Sequence, residues 1–258
     1  MAEKRKISAV IITFNEERNI ERCIKSLENV ADEIIVVDSF STDNTQAICQ
    51  KFNVKFVQQK WLGYSEQKNF ANSLTKYDLI LSLDADEALS EELKNSILEV
   101  KNNFETVAYS MNRRTNYCGK WIKYCGWYPD KKIRIFDKKI ASWNNLQVHE
   151  ELEFSVATVE KHIKGDILHY SYYTVQEHFE RSVKYAILSA EVAFAKNKKS
   201  SKFNIFFNPK WNFFHSFIIK LGFLDGYHGY LICKINSYAT FLKYTKLHEL
   251  NKERFRIT

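Results

Sequence analysis

Two aspartates one residue apart, in Asp84-Ala85-Asp86, place two carboxylates on one tripeptide. Hard divalent cations such as Mg²⁺ take oxygen ligands of this kind, and a cation so held neutralises a bound diphosphate. Alone, the tripeptide would equally make an ordinary acidic turn. Its setting favours the chemical reading. It closes the apolar run Leu79 to Leu83 (LILSL), the pattern of a strand buried on both faces. Two other β-branched runs also end in polar residues. Ile7 to Thr13 is followed by Phe14-Asn15-Glu16, and Glu33 to Asp38 closes on an aspartate. In an open parallel sheet, ligands bind beyond the carboxyl ends of the strands, so these three ends belong to one edge. No GxGxxG follows the first run and no GxxxxGK[ST] occurs, so the two commonest glycine-rich phosphate loops are absent. A diphosphate bound here needs positive charge from another source.

The elements that must position these residues follow from periodicity. Ile20, Cys23, Ile24 and Leu27 have helical spacing within Glu17 to Leu27. Further helices are expected over Thr42 to Phe52, Ser65 to Leu74 and Ser90 to about Asn102, with a strand at Val54 to Val57. Strands alternating with helices of this length indicate βαβ units and a parallel sheet. After Val107 to Asn112 the pattern changes. Strand candidates at Ile133 to Phe136, Val148 to Phe154 and Ile167 to Tyr170 lie among loops rich in Trp and Tyr, and Val175 to Ala195 reads as one long helix.

Composition bounds the class. The 258 residues are 45% hydrophobic and 27% charged, with only 7 Gly and 2 Pro, which leaves little room for a flexible linker. Five scattered cysteines without a CxxC pair argue against a zinc ribbon or a disulfide framework and fit a reducing compartment. The charged stretch Met1 to Lys6 runs straight into a strand, without a signal-peptide h-region. The net charge of +7 is concentrated at the end of the chain, where Ser201 to Thr258 holds 9 Lys/Arg against 3 Asp/Glu.

The ordered series ISAVIITFNEERNIERCIKSL, EIIVVDSFSTDNT, QKNFANSL and LILSLDADE resembles the family-2 glycosyltransferases of GT-A fold. More narrowly, GWYPDKKIRIF, VHE, GDILHYSY, NPKWNFF and GFLDGYHGY resemble the bacterial branch that adds sugars to the lipopolysaccharide inner core. The resemblance implies an α/β, Rossmann-like GT-A domain with a mainly parallel central sheet over residues 1–172. Its donor half would be about 1–112 and its acceptor half about 113–172. A helical, aromatic and basic extension would occupy 173–258. It also implies a hexosyltransferase, inverting at the anomeric carbon. The donor would be a nucleotide-diphosphate sugar, with a UDP-sugar such as UDP-glucose favoured by the branch. Thr13, Phe14, Asn15, Glu16 and Asp38 would line the nucleoside pocket. Lys68, within Gln67-Lys68-Asn69, would lie near phosphate, and Asp84, Ala85 and Asp86 would bind ribose, metal and diphosphate.

Inversion needs a carboxylate to take the acceptor proton. Asp130, four residues before Arg134, is the first candidate and Glu150 the second; a Pro-Asp turn is the plain alternative for Asp130. Asp84 and Asp86 would hold Mg²⁺ or Mn²⁺, with His149 as a third ligand, a diphosphate contact or a structural histidine. Arg134 can pair with a carboxylate or with phosphate. Trp121, Trp127 and Tyr128 can stack on acceptor sugars or simply pack.

The tail mixes lysines with large aromatics, and its longest mainly apolar stretch, Phe213 to Leu224, is too short to span a bilayer, which takes about 20 residues. Aromatics with lysine suit a membrane surface; no nucleic-acid motif accompanies them. The expected protein is therefore cytoplasmic, peripheral on the inner face of the membrane, and acts on a lipid-linked or lipopolysaccharide acceptor. Transfer to polyprenyl phosphate and a non-catalytic membrane-bound nucleotide-sugar binder are the alternatives.

Overall fold

The computed structural model describes residues 5–104, 108–144 and 151–257. The chain divides into two compact units, Met1–Arg114 with Asp130–Tyr170, and Thr115–Pro129 with Ser171–Thr258.

The first unit opens with β1 (Ile7–Thr13), α1 (Ile20–Leu27), β2 (Glu33–Asp38), α2 (Thr45–Cys49), β3 (Lys55–Gln58), α3 (Tyr64–Ser73) and β4 (Leu79–Asp84). β1 pairs in parallel with β2 and with β4, and β2 in parallel with β3. All seven residues of β1 are buried, because side chains alternate across a sheet covered on both faces. Ile7, Ala9 and Ile11 pack with Ile20 and Ile24 of α1. Val10 and Ile12 pack on the other face with Ala71 of α3. Each of the buried Ile and Val side chains among these contributes about 1.5–3 kcal/mol.

The chain continues through β5 (Glu87–Leu89), α4 (Glu91–Asn102), β6 (Ala108–Tyr117), β7 (Lys120–Trp121), β8 (Asp130–Asp137), β9 (Ala141–Trp143), β10 (Leu152–Phe154) and β11 (Glu160–Tyr172). Among the described residues the main sheet runs β3-β2-β1-β4-β8-β6-β11-β5, with β7 on β6. β8 is antiparallel to both β4 and β6, and β11 is antiparallel to β5. The result is a GT-A-type mixed sheet, parallel in its first half. The strand expected over Val148 to Phe154 is seen at Leu152–Phe154, paired with β9; Val148 to Glu150 lie outside the described residues. β5 has no counterpart in the sequence pattern. Three residues carry no measurable period, and this strand exists because β11 pairs with it. Ser90 caps α4, its hydroxyl accepting from Leu93 N at 3.2 Å. Gly165 of β11 lies at φ +92°, and a Cβ there would meet Leu93 N at 2.3 Å. Glycine lets the first turn of α4 rest on the strand backbone.

The second unit holds α5 (Val175–Ala195), α6 (Lys202–Phe214) and α7 (Gly226–Ile257). α5 spans the residues expected of it and starts on a capping box of Thr174 and Glu177. The segment 115–129, expected in the acceptor half, groups with these helices. Buried Asp225 anchors it by accepting from Tyr124 N at 2.8 Å and Lys123 N at 3.2 Å, while Lys120 Nζ donates to the Asp225 carbonyl at 2.7 Å. A Cβ on Gly229 would meet the Gly222 carbonyl oxygen at 2.0 Å. Among the described residues no helix is long and apolar enough to cross a membrane.

Trp127 packs against Tyr117, Tyr172 and His178, with ring centroids 5.6–5.9 Å from its own. This is a packing role for one of the loop aromatics. His178 is buried with Nδ1 3.1 Å from Tyr117 OH. Burial pushes its imidazole down to about 4, against a partial upward pull from Asn236. The unfolded chain takes up this proton near 6.5, so between pH 6.5 and 4 it binds more protons than the folded state. Stability present above pH 6.5 is therefore lost as the pH falls toward 4. Chemical-denaturation midpoints should drop across that window, and a His178→Gln variant should show a shallower drop.

Candidate active site

The site is built at the carboxyl ends of β1, β2 and β4. Asn15, just after β1, adopts φ +55° and ties its loop to the one after β2. Its N donates to Ser41 Oγ at 2.8 Å, and its Oδ1 accepts from Thr42 N at 2.8 Å. Glu16 N donates to Thr45 Oγ1 at 2.8 Å. Thr13 is buried with its hydroxyl unpartnered among the described residues, and Phe14 is exposed. Asp38 is fully buried. Its Oδ2 accepts from Ser41 N at 2.9 Å and Gln58 Nε2 at 3.3 Å, and the Ser41 hydroxyl donates to Oδ1. Asp38 thus fixes the loop that follows it. Parallel register sets Thr13 opposite Asp38 and Ile12 opposite Asp84, so the three strand ends read from sequence do share one edge.

Asp84 ends β4 between two cations. Lys68 Nζ is 3.1 Å from Oδ1, and Arg134 Nη2 donates to Oδ2 at 3.0 Å. Burial alone would raise the Asp84 carboxyl, but Lys68 and Arg134 outweigh it and hold it far below the usual carboxylate range. Lys68 is 3% exposed and also sits 4.8 Å from the Trp143 ring centroid. That is not a solvated helix face. Its neighbours lock α3 in place: Gln67 Nε2 donates to Ser39 Oγ at 3.2 Å, and Asn69 Nδ2 donates to the Trp143 carbonyl at 2.8 Å.

Arg134 also donates to Glu87 Oε1 at 2.7 Å. Glu87, buried on β5, accepts from Asp84 N at 3.0 Å and pairs with Arg113 Nη1 at 3.4 Å. Arg113, paired opposite Asp130 in the β6–β8 register, donates to Asp130 Oδ2 through Nε at 2.9 Å and lies 2.8 Å from it through Nη2. Lys132 Nζ is 3.0 Å from Asp130 Oδ1. Charges therefore alternate along Lys68, Asp84, Arg134, Glu87, Arg113, Asp130 and Lys132, from α3 to the start of β8. Burial would raise the Asp130 carboxyl, but Arg113 and Lys132 hold it below its ordinary range. Three N–H donors take three of its four lone-pair positions, and its side chain is 31% exposed.

Asp86 points elsewhere. Its Oδ2 is 3.2 Å from His169 Nε2, and its carbonyl accepts from Tyr170 N at 2.9 Å. The pairing of β5 with β11 makes this contact, since His169 is in register with Glu87. No cluster of three or more metal-ligand side chains occurs among the described residues. The donor chemistry still fits a cation at Asp86. Mg²⁺ and Mn²⁺ use one or two carboxylates with waters and substrate phosphates, and Mn²⁺ accepts imidazole. Asp84, with a cation on each oxygen, is the weaker ligand. His149 and Glu150 lie outside the described residues. Glu87, Arg113 and His169 had no role assigned from sequence. Glu87 adjoins the aspartates and His169 stands in GDILHYSY, but their partners arise only through strand pairing.

Residues 8–151 match the family model Glycosyl transferase family 2. The chain is 35% identical over 262 residues to an uncharacterized glycosyltransferase of Rickettsia bellii, covering 96% of this chain and 87% of that one. It is 27% identical over 263 residues to the lipopolysaccharide core biosynthesis glycosyltransferase LpsC of Rhizobium meliloti, covering 96% and 94%. Among solved structures, S. aureus TarS residues 1–349 in complex with UDP aligns at 16% identity and a TM-score of 0.49, covering 98% of this chain and 92% of that one.

Removing one partner from a buried ion pair typically costs about 3–5 kcal/mol. Glu87→Gln should lower the unfolding free energy by about 3 kcal/mol. Combining it with Arg113→Met should cost less than the two single changes added together, which a double-mutant cycle by urea denaturation would read.

Proposed function

Since the chain belongs to glycosyl transferase family 2, we propose that it transfers a hexose, with inversion, from a nucleotide-diphosphate sugar to a lipopolysaccharide core or related surface glycan. UDP-glucose is the first donor to try. The similarity to LpsC over nearly the full length of both chains supports that acceptor class. The observation that carries the reading is the shared edge of Thr13, Asp38 and Asp84, with a buried lysine beside the last.

In this reading Thr13, Phe14, Asn15, Glu16 and Asp38 line the nucleoside pocket, and Lys68 lends positive charge to the diphosphate. Ala85, buried between the two aspartates, keeps Asp84 and Asp86 facing different partners. A divalent cation held by Asp86 with His169, and with His149 if it reaches the same place, would supply charge for the leaving diphosphate. Asp130 takes the acceptor hydroxyl proton through its remaining lone pair; being held ionised, it is available across neutral pH. Glu150 is the alternative base. The enzyme works at the inner face of the cytoplasmic membrane, where a lipid-linked acceptor is presented.

Asp86→Ala and Asp84→Asn should each reduce transfer by roughly 100-fold or more, the scale of losing one charge-stabilising contact in the transition state. EDTA should stop the wild-type reaction and Mn²⁺ or Mg²⁺ restore it. Product formation from labelled nucleotide sugars is the measurement. Full activity in both variants would sink the reading.

A further inference from the structure

α6 is amphipathic in an unusual sense. One face packs within the second unit: Pro209 is buried and its carbonyl accepts from Ser237 Oγ of α7 at 2.8 Å, and the Phe213 ring lies 6.0 Å from that of Tyr230. At 3.6 residues per turn, Phe203, Phe207, Lys210, Trp211 and Phe214 fall together on the opposite face, in an arc of roughly 100°, with Phe206 at its margin. A helix packed on one side normally turns charged or polar residues outward there. This one turns out rings, Phe203 at 67% exposure and Phe206 at 66%. The rings organise one another rather than fold inward. Phe203 stacks on Phe207 at 5.1 Å, and Phe207 on Trp211 at 6.4 Å. Contiguous exposed apolar surface of this kind marks an interaction site.

Charge identifies the occupant. From Lys196 to Leu224 the chain has six lysines, all exposed, and not one Asp, Glu or Arg. Lys210 sits within the aromatic face itself, where its stem can lie along the rings while the ammonium reaches polar surroundings. Aromatic side chains flanked by lysine, without acid, complement an anionic lipid surface. Rings enter the boundary between headgroups and acyl chains, and ammonium groups meet lipid phosphates. We infer that the outward face of α6 is the membrane-docking surface of this protein, and that it takes an anionic bilayer. The inference deepens the membrane location proposed above but is independent of the transfer chemistry, because it rests on surface residues of the second unit alone.

The test is flotation of the full chain with vesicles of phosphatidylcholine, with or without phosphatidylglycerol, in the absence of donor and acceptor. Wild-type protein should float with the mixed vesicles and bind pure phosphatidylcholine at least about tenfold more weakly, with binding that falls as salt rises. The combined Phe207→Gln, Trp211→Gln, Phe214→Gln variant should lose at least about tenfold in binding to the mixed vesicles. All three side chains are solvent-facing, so its circular dichroism and unfolding midpoint should match wild type. Lys202→Glu with Lys210→Glu should remove the preference for anionic lipid. The inference fails if wild type stays with neither vesicle or if the triple variant floats as well as wild type. It also fails if wild type instead forms a dimer in sedimentation that the triple variant abolishes, since a second copy would then cover this face. None of these outcomes depends on turnover, so they leave the transferase reading untouched.

Discussion

A guanidinium taken out of water together with carboxylates is tolerable only when every charge finds a partner, because each unpaired buried ion costs several kcal/mol. Arg134 meets that condition by bridging Asp84 and Glu87 with one nitrogen. Much of the first unit is arranged around this requirement. β8 must lie antiparallel on β4, where Leu81 pairs with Ile135, so that Arg134 falls just beyond the pair and beside Asp84. β5 must turn back immediately after the aspartates to deliver Glu87. β6 must bring Arg113 opposite Asp130. The same ion that closes the interior thus sets the direction of a carboxylate at the shared edge of β1, β2 and β4. A preorganised charge of this kind needs no rearrangement when a substrate arrives. The chain of alternating charges also links Asp84 at the end of β4 to Asp130 at the start of β8.

The parallel half of the sheet was readable because burial on both faces leaves an uninterrupted β-branched run, as in Ile7 to Thr13, closed by polar residues. Lys68 was legible only through the family resemblance of Gln67-Lys68-Asn69; the strand before its helix, β3, is not buried. What escaped was everything made by antiparallel return. Glu87-Ala88-Leu89 is too short to carry a period. Arg113 and Asp130 are 17 positions apart, and nothing in either segment names the other. His169 reaches Asp86 only because β11 pairs with β5. The direction of Asp38 was likewise hidden, since Ser41 and Gln58 claim its oxygens through loop and strand geometry.

The second unit follows a different logic. Its interior adds an aromatic cluster to aliphatic residues such as Ile122, Ile232 and Leu247, with Tyr117, Trp127, Tyr172 and His178 in mutual edge and tilted contacts. Two close approaches, Gly229 on Gly222 and Asp225 on the 123–124 backbone, hold the helices and the 115–129 segment together. Composition made the aromatic and basic character plain, but not which rings face inward. Phe213 and Trp211 differ by two positions and lie on opposite sides of one helix.

The central claim is that the strand-end edge around Asp84 and Asp86 receives a nucleotide diphosphate together with a divalent cation. A ligand that binds only the folded state raises the unfolding temperature by mass action. Thermal denaturation of the purified chain with UDP-glucose and related nucleotide sugars, each with and without Mn²⁺, measures this directly. The account predicts a rise for at least one nucleotide sugar that needs Mn²⁺ and does not occur with Mn²⁺ alone. No rise with any nucleotide sugar in the presence of the cation would contradict it.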